Sequence, residues 1–180
     1  MSAAAIAVNR PDSRFMLAHP SHLLALGFGA GLSPWAPGTV GTLLAWLAFV
    51  VVDRWLDPLG WATLLVTGFT VGWWACVRTA RDLGVADPSA IVWDEVLAFW
   101  LILWLVMPAS WWVQFAAFVL FRIFDVAKPG PVRWADRRFK THADRAIGAR
   151  EGFGILFDDL IAALLTLVVL AIAIAIARLS

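Results

Sequence analysis

The apolar run at residues 160–179 is the feature that most constrains the fold of this chain. A helix needs about 20 mainly apolar residues to cross the hydrocarbon core of a bilayer, and this run has that length. Two adjacent carboxylates, Asp158 and Asp159, stand directly before it. Because burying an unpaired charge is costly, these acids need either the polar edge of a membrane or a specific role.

The composition indicates that the whole chain is a membrane protein. Hydrophobic residues make up 62% of its 180 residues and charged residues only 15%, whereas an ordinary soluble domain is roughly half apolar. We predict an all-α, polytopic helix bundle with about five spans, preceded by a short re-entrant or interfacial segment at 22–31. Residues 1–20 are expected to form a cytoplasmic tail, and residues 21–180 one membrane domain. The predicted spans are 39–52, 61–77, 91–107, 111–126 and 160–179.

Basic residues are concentrated on one side of these spans. The tail, the second loop and the fourth loop together carry eleven Lys and Arg, whereas the other side carries only Arg54 and Arg178. The positive-inside tendency therefore places the tail and these two loops in the cytoplasm. The net charge of +1 gives no reason to expect a nucleic-acid partner. The basic residues of the fourth loop are Lys128, Arg133, Arg137, Arg138, Lys140, Arg145 and Arg150.

Five acids fall at the cytoplasmic ends of three predicted spans. Some of them could simply cap helices, since an acid in a first turn gains roughly 0.3 to 1 kcal/mol from the helix dipole. Asp125 fits that explanation poorly because it lies at the carboxyl end of its span, although Arg122, three residues earlier, could pair with it. If the acids converge, each pair of like charges at about 4 Å costs about 4 kcal/mol at an effective dielectric of 20, so a cation is required. The five acids are Asp94, Glu95, Asp125, Asp158 and Asp159.

The chemistry of these ligands favours one class of ion. Carboxylate oxygens without His or Cys suit Mg²⁺ or Mn²⁺ rather than zinc, and Mg²⁺ often bridges to substrate phosphate. Lys128 and Arg122 are the cations best placed to hold such a phosphate. The Gly- and Pro-rich segment at 27–42 reaches the same edge, where Ser33 or Thr39 could cap the next helix and its free N–H groups could meet a phosphate. A simple entry turn is the alternative interpretation of this segment.

Four ordered segments, GLSPWAPGTVGT, VWDEV, RIFDVAKPGPV and GFGILFDDLIAAL, resemble the bacterial phosphatidylglycerophosphatase A family. The resemblance runs from about Ser21 to the end of the fifth span. It implies a multi-pass phosphatase of the bacterial inner membrane, with its active site on the cytoplasmic side. Such an enzyme uses Mg²⁺ to remove the terminal phosphate of phosphatidylglycerophosphate, yielding phosphatidylglycerol for phospholipid biosynthesis.

The resemblance also implies roles for individual residues. The five acids become the active-site acids and metal ligands, and Lys128, Ser33, Gly38 and Thr39 match positions that hold the phosphate. Many family members carry a GG-x-G directly before the second acidic pair, whereas this chain reads Glu151-Gly152-Phe153-Gly154 after a longer basic loop at 137–150.

The residues themselves favour a metal-assisted attack of water on phosphorus, using one or two Mg²⁺ ions. A transporter or proton relay is the rival interpretation, because acids within spans also mark ion pathways. The depth of the acids separates the two, since a relay requires ionisable groups at the midplane or on both sides. The acids of this chain are predicted to gather at one edge.

Overall fold

The computed structural model describes residues 10–139 and 147–179. Lys140 and Arg145 of the predicted basic loop, and residues 1–9 of the tail, lie outside the described residues. Within the described ranges the chain is helical and contains no strand, which confirms the predicted all-α class. The helices are α1 (Ser13–Ala18), α2 (Pro20–Ala25), α3 (Pro37–Val52), α4 (Pro58–Leu83), α5 (Trp93–Val106), α6 (Trp111–Ala127), α7 (Gly130–Phe139) and α8 (Ala149–Ala177), with a 3₁₀ turn at Gly27–Leu32.

Local sequence signals fix many of the helix ends. Asp57 caps α4, because its Oδ1 accepts a hydrogen bond from Gly60 N–H at 2.7 Å, and Pro58 occupies the first helical position. Gly84 ends α4 in the left-handed conformation that a residue without Cβ adopts readily. Asp12 caps α1 in the same way as Asp57.

Two helices, α4 and α8, are long and apolar enough to cross a membrane by length and composition. This number is smaller than the roughly five spans predicted. The other three predicted spans correspond to α3, α5 and α6, which have 16, 14 and 17 residues. At about 1.5 Å per residue these helices are roughly 21–26 Å long, shorter than a typical hydrocarbon core of about 30 Å. Proline and polar residues end them early, as at Asp53 after α3 and Pro108 after α5.

The start of α8 differs from the prediction. The helix begins at Ala149, so Asp158 and Asp159 lie in its third turn rather than at its amino-terminal end. Glu151 provides the cap instead, because its Oε2 accepts a hydrogen bond from Gly148 N–H at 2.8 Å. A capping role for either aspartate is therefore excluded by its position in the helix.

The two glycines before the acids, Gly152 and Gly154, lie inside α8, where neighbouring helices leave no room for a side chain. A Cβ on Gly152 would lie 2.2 Å from Val77 Cγ2 of α4, and one on Gly154 would lie 2.5 Å from Phe139 Cβ of α7. The glycines allow α8 to approach both helices. The segment predicted to be re-entrant or interfacial forms α2 and the 3₁₀ turn, in which Phe28 and Gly29 have positive φ values of 53° and 111°.

Helix α5 occupies the centre of the bundle. Its side chains Phe99, Ile102 and Leu103 are fully buried, and α3, α4, α6 and α8 pack around it. Indole N–H groups join it to two neighbours: Trp100 donates to Ala45 O of α3 at 2.9 Å, and Trp93 donates to Gly68 O of α4 at 3.0 Å. These bonds fix α5 against α3 and α4, and its first turn carries Asp94 and Glu95.

Candidate active site

A cavity of about 380 Å³ lies at one end of the bundle, among the first turns of α3 and α5, the last turn of α6 and the third turn of α8. It brings together the five predicted acids, although they come from three separate helices. Both predicted phosphate-binding cations and the first turn of α3 also line it. The predicted site residues in this lining are Gly38, Thr39, Asp94, Glu95, Arg122, Asp125, Lys128, Asp158 and Asp159.

Three of the acids form a compact trio. Asp94, Glu95 and Asp159 each offer a carboxylate oxygen within 4.8 Å of the others. One oxygen of each is buried without a hydrogen-bond partner among the described residues, namely Asp94 Oδ1, Glu95 Oε2 and Asp159 Oδ2. Buried polar atoms are normally satisfied, and carboxylates this close repel each other when ionised. The trio therefore fits a metal ion that prefers oxygen ligands.

Arg122 neutralises part of the remaining negative charge. Its Nη1 lies 2.9 Å from Asp125 Oδ2 and 3.6 Å from Glu95 Oε1. The predicted ion pair between Arg122 and Asp125 is thus present, with both residues on one face of α6. The same nitrogen donates to Thr42 Oγ1 of α3 at 3.4 Å. Arg122 consequently links α3, α5 and α6 at the floor of the cavity.

Lys128 neutralises the fifth acid. Its Nζ lies 2.5 Å from both Asp158 Oδ2 of α8 and Asp136 Oδ1 of α7. Lys128 ends α6 in the left-handed region, with φ of 44°, which is uncommon for a residue with a side chain and is found often at functional sites. Burial disfavours the charged ammonium, but the carboxylates of Asp158 and Asp136 outweigh this, so the pKa of Lys128 lies above its usual range.

The first turn of α3 closes one wall of the cavity. A Cβ on Gly38 would lie 2.0 Å from Glu95 Oε1 and 3.0 Å from Arg122 Nη2, so only glycine lets the backbone approach these groups. Helix α3 has no side-chain cap, and Ala36 precedes it in the left-handed conformation. Like the first N–H groups of any helix, those of Gly38 and Thr39 have no hydrogen-bond acceptor within the helix. This turn can therefore donate hydrogen bonds to an anion.

One predicted residue, Ser33, does not line the acidic cavity. It lines an adjoining cleft of about 270 Å³, and its hydroxyl donates to Trp35 O at 2.7 Å within its own turn. Conversely, sequence reasoning missed three residues of the site: Asp87 and Ser89, which line the cavity, and Asp136, which pairs with Lys128. The sequence gives one indication of Asp136, because it is the single acid of α7, a helix with three arginines.

Comparisons with known proteins agree on one family. The phosphatidylglycerophosphatase A family model matches residues 23–174. Phosphatidylglycerophosphatase A of Escherichia coli is 40% identical over 155 residues, covering 86% of this chain and 83% of that protein. The Haemophilus influenzae protein of the same name is 37% identical over 161 residues, covering 89% and 93%.

A relative with a different name has a similar percentage of identical residues. The putative phosphatidylinositol-3-phosphatase of Bacteroides thetaiotaomicron is 37% identical over 158 residues, covering 84% of this chain and 91% of that protein. No solved structure matches the chain.

Proposed function

The chain belongs to the phosphatidylglycerophosphatase A family, and on this premise we propose that it removes the terminal phosphate of phosphatidylglycerophosphate to give phosphatidylglycerol. The family makes the chain a phosphatase, a phosphoric monoester hydrolase. The supporting observation is one cavity in which three carboxylates without full hydrogen bonding lie beside two cations. We place the reaction in phospholipid biosynthesis, because its product is a membrane phospholipid.

We propose that Asp94, Glu95 and Asp159 hold Mg²⁺. The donor set fits, since each of the three carboxylates keeps one buried oxygen without a partner among the described residues, and the set includes no His or Cys. When bound, the ion supplies a Lewis acid for the phosphoryl oxygens. Asp125 and Asp158 were also predicted to be metal ligands. Asp125 pairs with Arg122 and Asp158 pairs with Lys128. We therefore assign these two acids to positioning the cations.

Two cations and a helix terminus are arranged to bind the phosphate. Lys128 Nζ and the guanidinium of Arg122 line the cavity, and the N–H groups of Gly38 and Thr39 lie at the start of α3. Because its pKa is raised, Lys128 stays protonated at neutral pH. We therefore assign it to stabilising the negative charge that develops on the phosphoryl group, rather than to transferring a proton.

The carboxylates also account for proton movement. A water oxygen forms the new bond to phosphorus as the bond to the glycerol oxygen breaks. The proton of that water passes to a carboxylate of the cavity and from there to solvent. The departing glycerol oxygen takes a proton from solvent, so that the products are inorganic phosphate and phosphatidylglycerol.

We further propose a multi-pass arrangement in the bacterial inner membrane, with this cavity on the cytoplasmic side. The two long apolar helices support a membrane location, and the remaining crossings would be made by α3, α5 and α6 with local thinning of the bilayer. The lipid tails then stay in the bilayer while only the headgroup enters the cavity. The transporter alternative has no support, since all five acids line one cavity at one end of the bundle.

The test is phosphate release from phosphatidylglycerophosphate by the purified full chain, with Mg²⁺ or with excess chelator. Asp159→Asn should lower turnover at least about a hundred-fold, since it removes a charge of the trio at nearly constant volume. Asp53→Asn is the matched control, because Asp53 lies between α3 and α4 and its Oδ1 accepts from Trp61 Nε1, a bond that asparagine preserves.

Three results would contradict parts of the proposal. Full activity of Asp159→Asn, or full activity in chelator, would show that the trio does not hold a metal ion that the reaction needs. Phosphatidylinositol 3-phosphate serves as a competing substrate, prompted by the name of the Bacteroides relative. Turnover of that lipid in preference to phosphatidylglycerophosphate would overturn the assigned substrate while leaving the phosphatase chemistry in place.

A further inference from the structure

Helix α7 has two opposite faces with different chemistry. Val132 and Ala135 are buried on the inward face, and Asp136 on the same side contacts Lys128 of the site. At 100° per residue the opposite face contains five exposed residues at helical spacing. Those residues are Gly130, Arg133, Trp134, Arg137 and Arg138.

The packing of α7 against α8 indicates how deep α7 lies in the bilayer. The uninterrupted apolar part of α8 starts at Leu160, after the acids, and the helix begins at Ala149, about 16 Å earlier at 1.5 Å per residue. Phe139 of α7 packs against Phe153 and Phe157 in these first turns, with ring centroids 5.2 Å apart in both cases. If the apolar part fills the hydrocarbon, α7 lies outside it, at the level of the lipid headgroups.

We propose that the outward face of α7 binds the phosphate headgroup of an anionic phospholipid of the surrounding bilayer. A shallow cavity of about 370 Å³ is lined there by Gly130, Trp134, Arg137 and Arg138. The forked guanidinium group matches phosphate oxygens, and tryptophan prefers the interface between headgroups and acyl chains. The only acid of α7, Asp136, is directed inward to Lys128, so the outward face carries positive charge alone.

The bound lipid is distinct from the substrate undergoing hydrolysis. Asp136 and the outward arginines lie on opposite sides of one helix, so the proposed lipid contacts the far side of the helix that positions Lys128. The inference depends on the membrane placement proposed above and not on the phosphatase reaction. A binding measurement without substrate therefore tests it separately from the proposed function.

The experiment measures quenching of Trp134 by brominated lipids in nanodiscs of the full chain. The fluorescence of Trp134→Phe, subtracted from that of the wild type, isolates this residue among twelve tryptophans. Brominated phosphatidylglycerol should quench Trp134 more strongly than brominated phosphatidylcholine at equal mole fraction. Each basic residue near the surface gives about a five-fold preference for an anionic headgroup, equivalent to about 1 kcal/mol, so replacing Arg133, Arg137 and Arg138 together by glutamine should lower the preference at least about ten-fold.

Two controls keep the outcome interpretable. The triple replacement of the same arginines by lysine retains the charge and should retain most of the preference. Trp55 is the matched tryptophan, because it is also exposed and has a single arginine, Arg54, beside it. Its preference for the anionic lipid should be weaker than that of Trp134. Equal quenching of Trp134 by the two lipids, or an unchanged preference in the glutamine variant, would overturn the proposal.

Discussion

Replacement of Lys128 by methionine tests the electrostatic arrangement of the site, because it removes one charge at similar side-chain length. Asp136 and Asp158 both lie 2.5 Å from Nζ, so their nearest oxygens are at most about 5 Å apart. Two unit charges at about 5 Å and an effective dielectric of 20 repel each other by about 3 kcal/mol. Lys128→Met should therefore destabilise the folded chain by about this amount at neutral pH, whereas Lys128→Arg should have a small effect.

Cys76 provides the assay. It is the only cysteine of the chain and is fully buried in α4, so a thiol-reactive dye reports thermal unfolding directly. A loss of about 3 kcal/mol corresponds to a melting temperature lower by roughly 6–12 °C for a chain of this size. Adding Asp136→Asn to Lys128→Met should recover most of that loss, because it removes one of the two repelling charges.

The pH dependence provides a further check on the same variant. Because the pKa of Lys128 is raised in the folded chain, its contribution to stability is complete below the pKa of an unfolded lysine, about 10.4, and is lost only as pH rises beyond that value. The deficit of Lys128→Met should instead shrink on acidification, as one carboxylate takes up a proton. A variant that melts at the wild-type temperature at neutral pH, or that gains nothing from Asp136→Asn, would refute this account.

Further predictions concern the wall and the floor of the cavity. Gly38→Ala should abolish phosphate release, because the new Cβ would lie 2.0 Å from Glu95 Oε1, whereas Gly130→Ala, with no atom within 4 Å of its Cβ, should fold and melt like the wild type. Mg²⁺ should raise the melting temperature of the wild type, by the equivalent of about 2.7 kcal/mol at one hundred times its dissociation constant, and Asp94→Asn should lose this stabilisation. Asp125→Asn should lose turnover yet keep the stabilisation by Mg²⁺. An equal loss in both variants would place Asp125 among the ligands.

Much of the site was accessible from the sequence because charge is rare in an apolar chain. The acids at 94–95, 125 and 158–159 stand out from their surroundings, and the distribution of arginine and lysine places them at one end of the bundle. The structure confirms this convergence, since all five line one cavity. It also shows the predicted ion pair of Arg122 with Asp125, because residues three apart on a helix share a face.

Helix boundaries were less accessible, because tertiary packing overrides local signals. Gly152 and Gly154 are typical of a turn in sequence, yet they lie within α8, where they allow close contact with α4 and α7. His22 is buried, and its Nε2 lies 2.8 Å from Asp82 Oδ2 of α4. Neither contact leaves a trace in the local sequence, since the partners are distant in the chain.

The sequence by itself determined the helical class, the apolar segments and the acids and bases available for chemistry, because hydropathy and charge are properties of individual residues. Only the tertiary structure decided how those charges pair. It separated the trio of Asp94, Glu95 and Asp159 from the acids held by Arg122 and Lys128, and it brought Asp136 of α7 to Lys128. The physical reason is that a pairing depends on distances of a few ångströms between helices, which helix crossing and close packing set and no local pattern encodes.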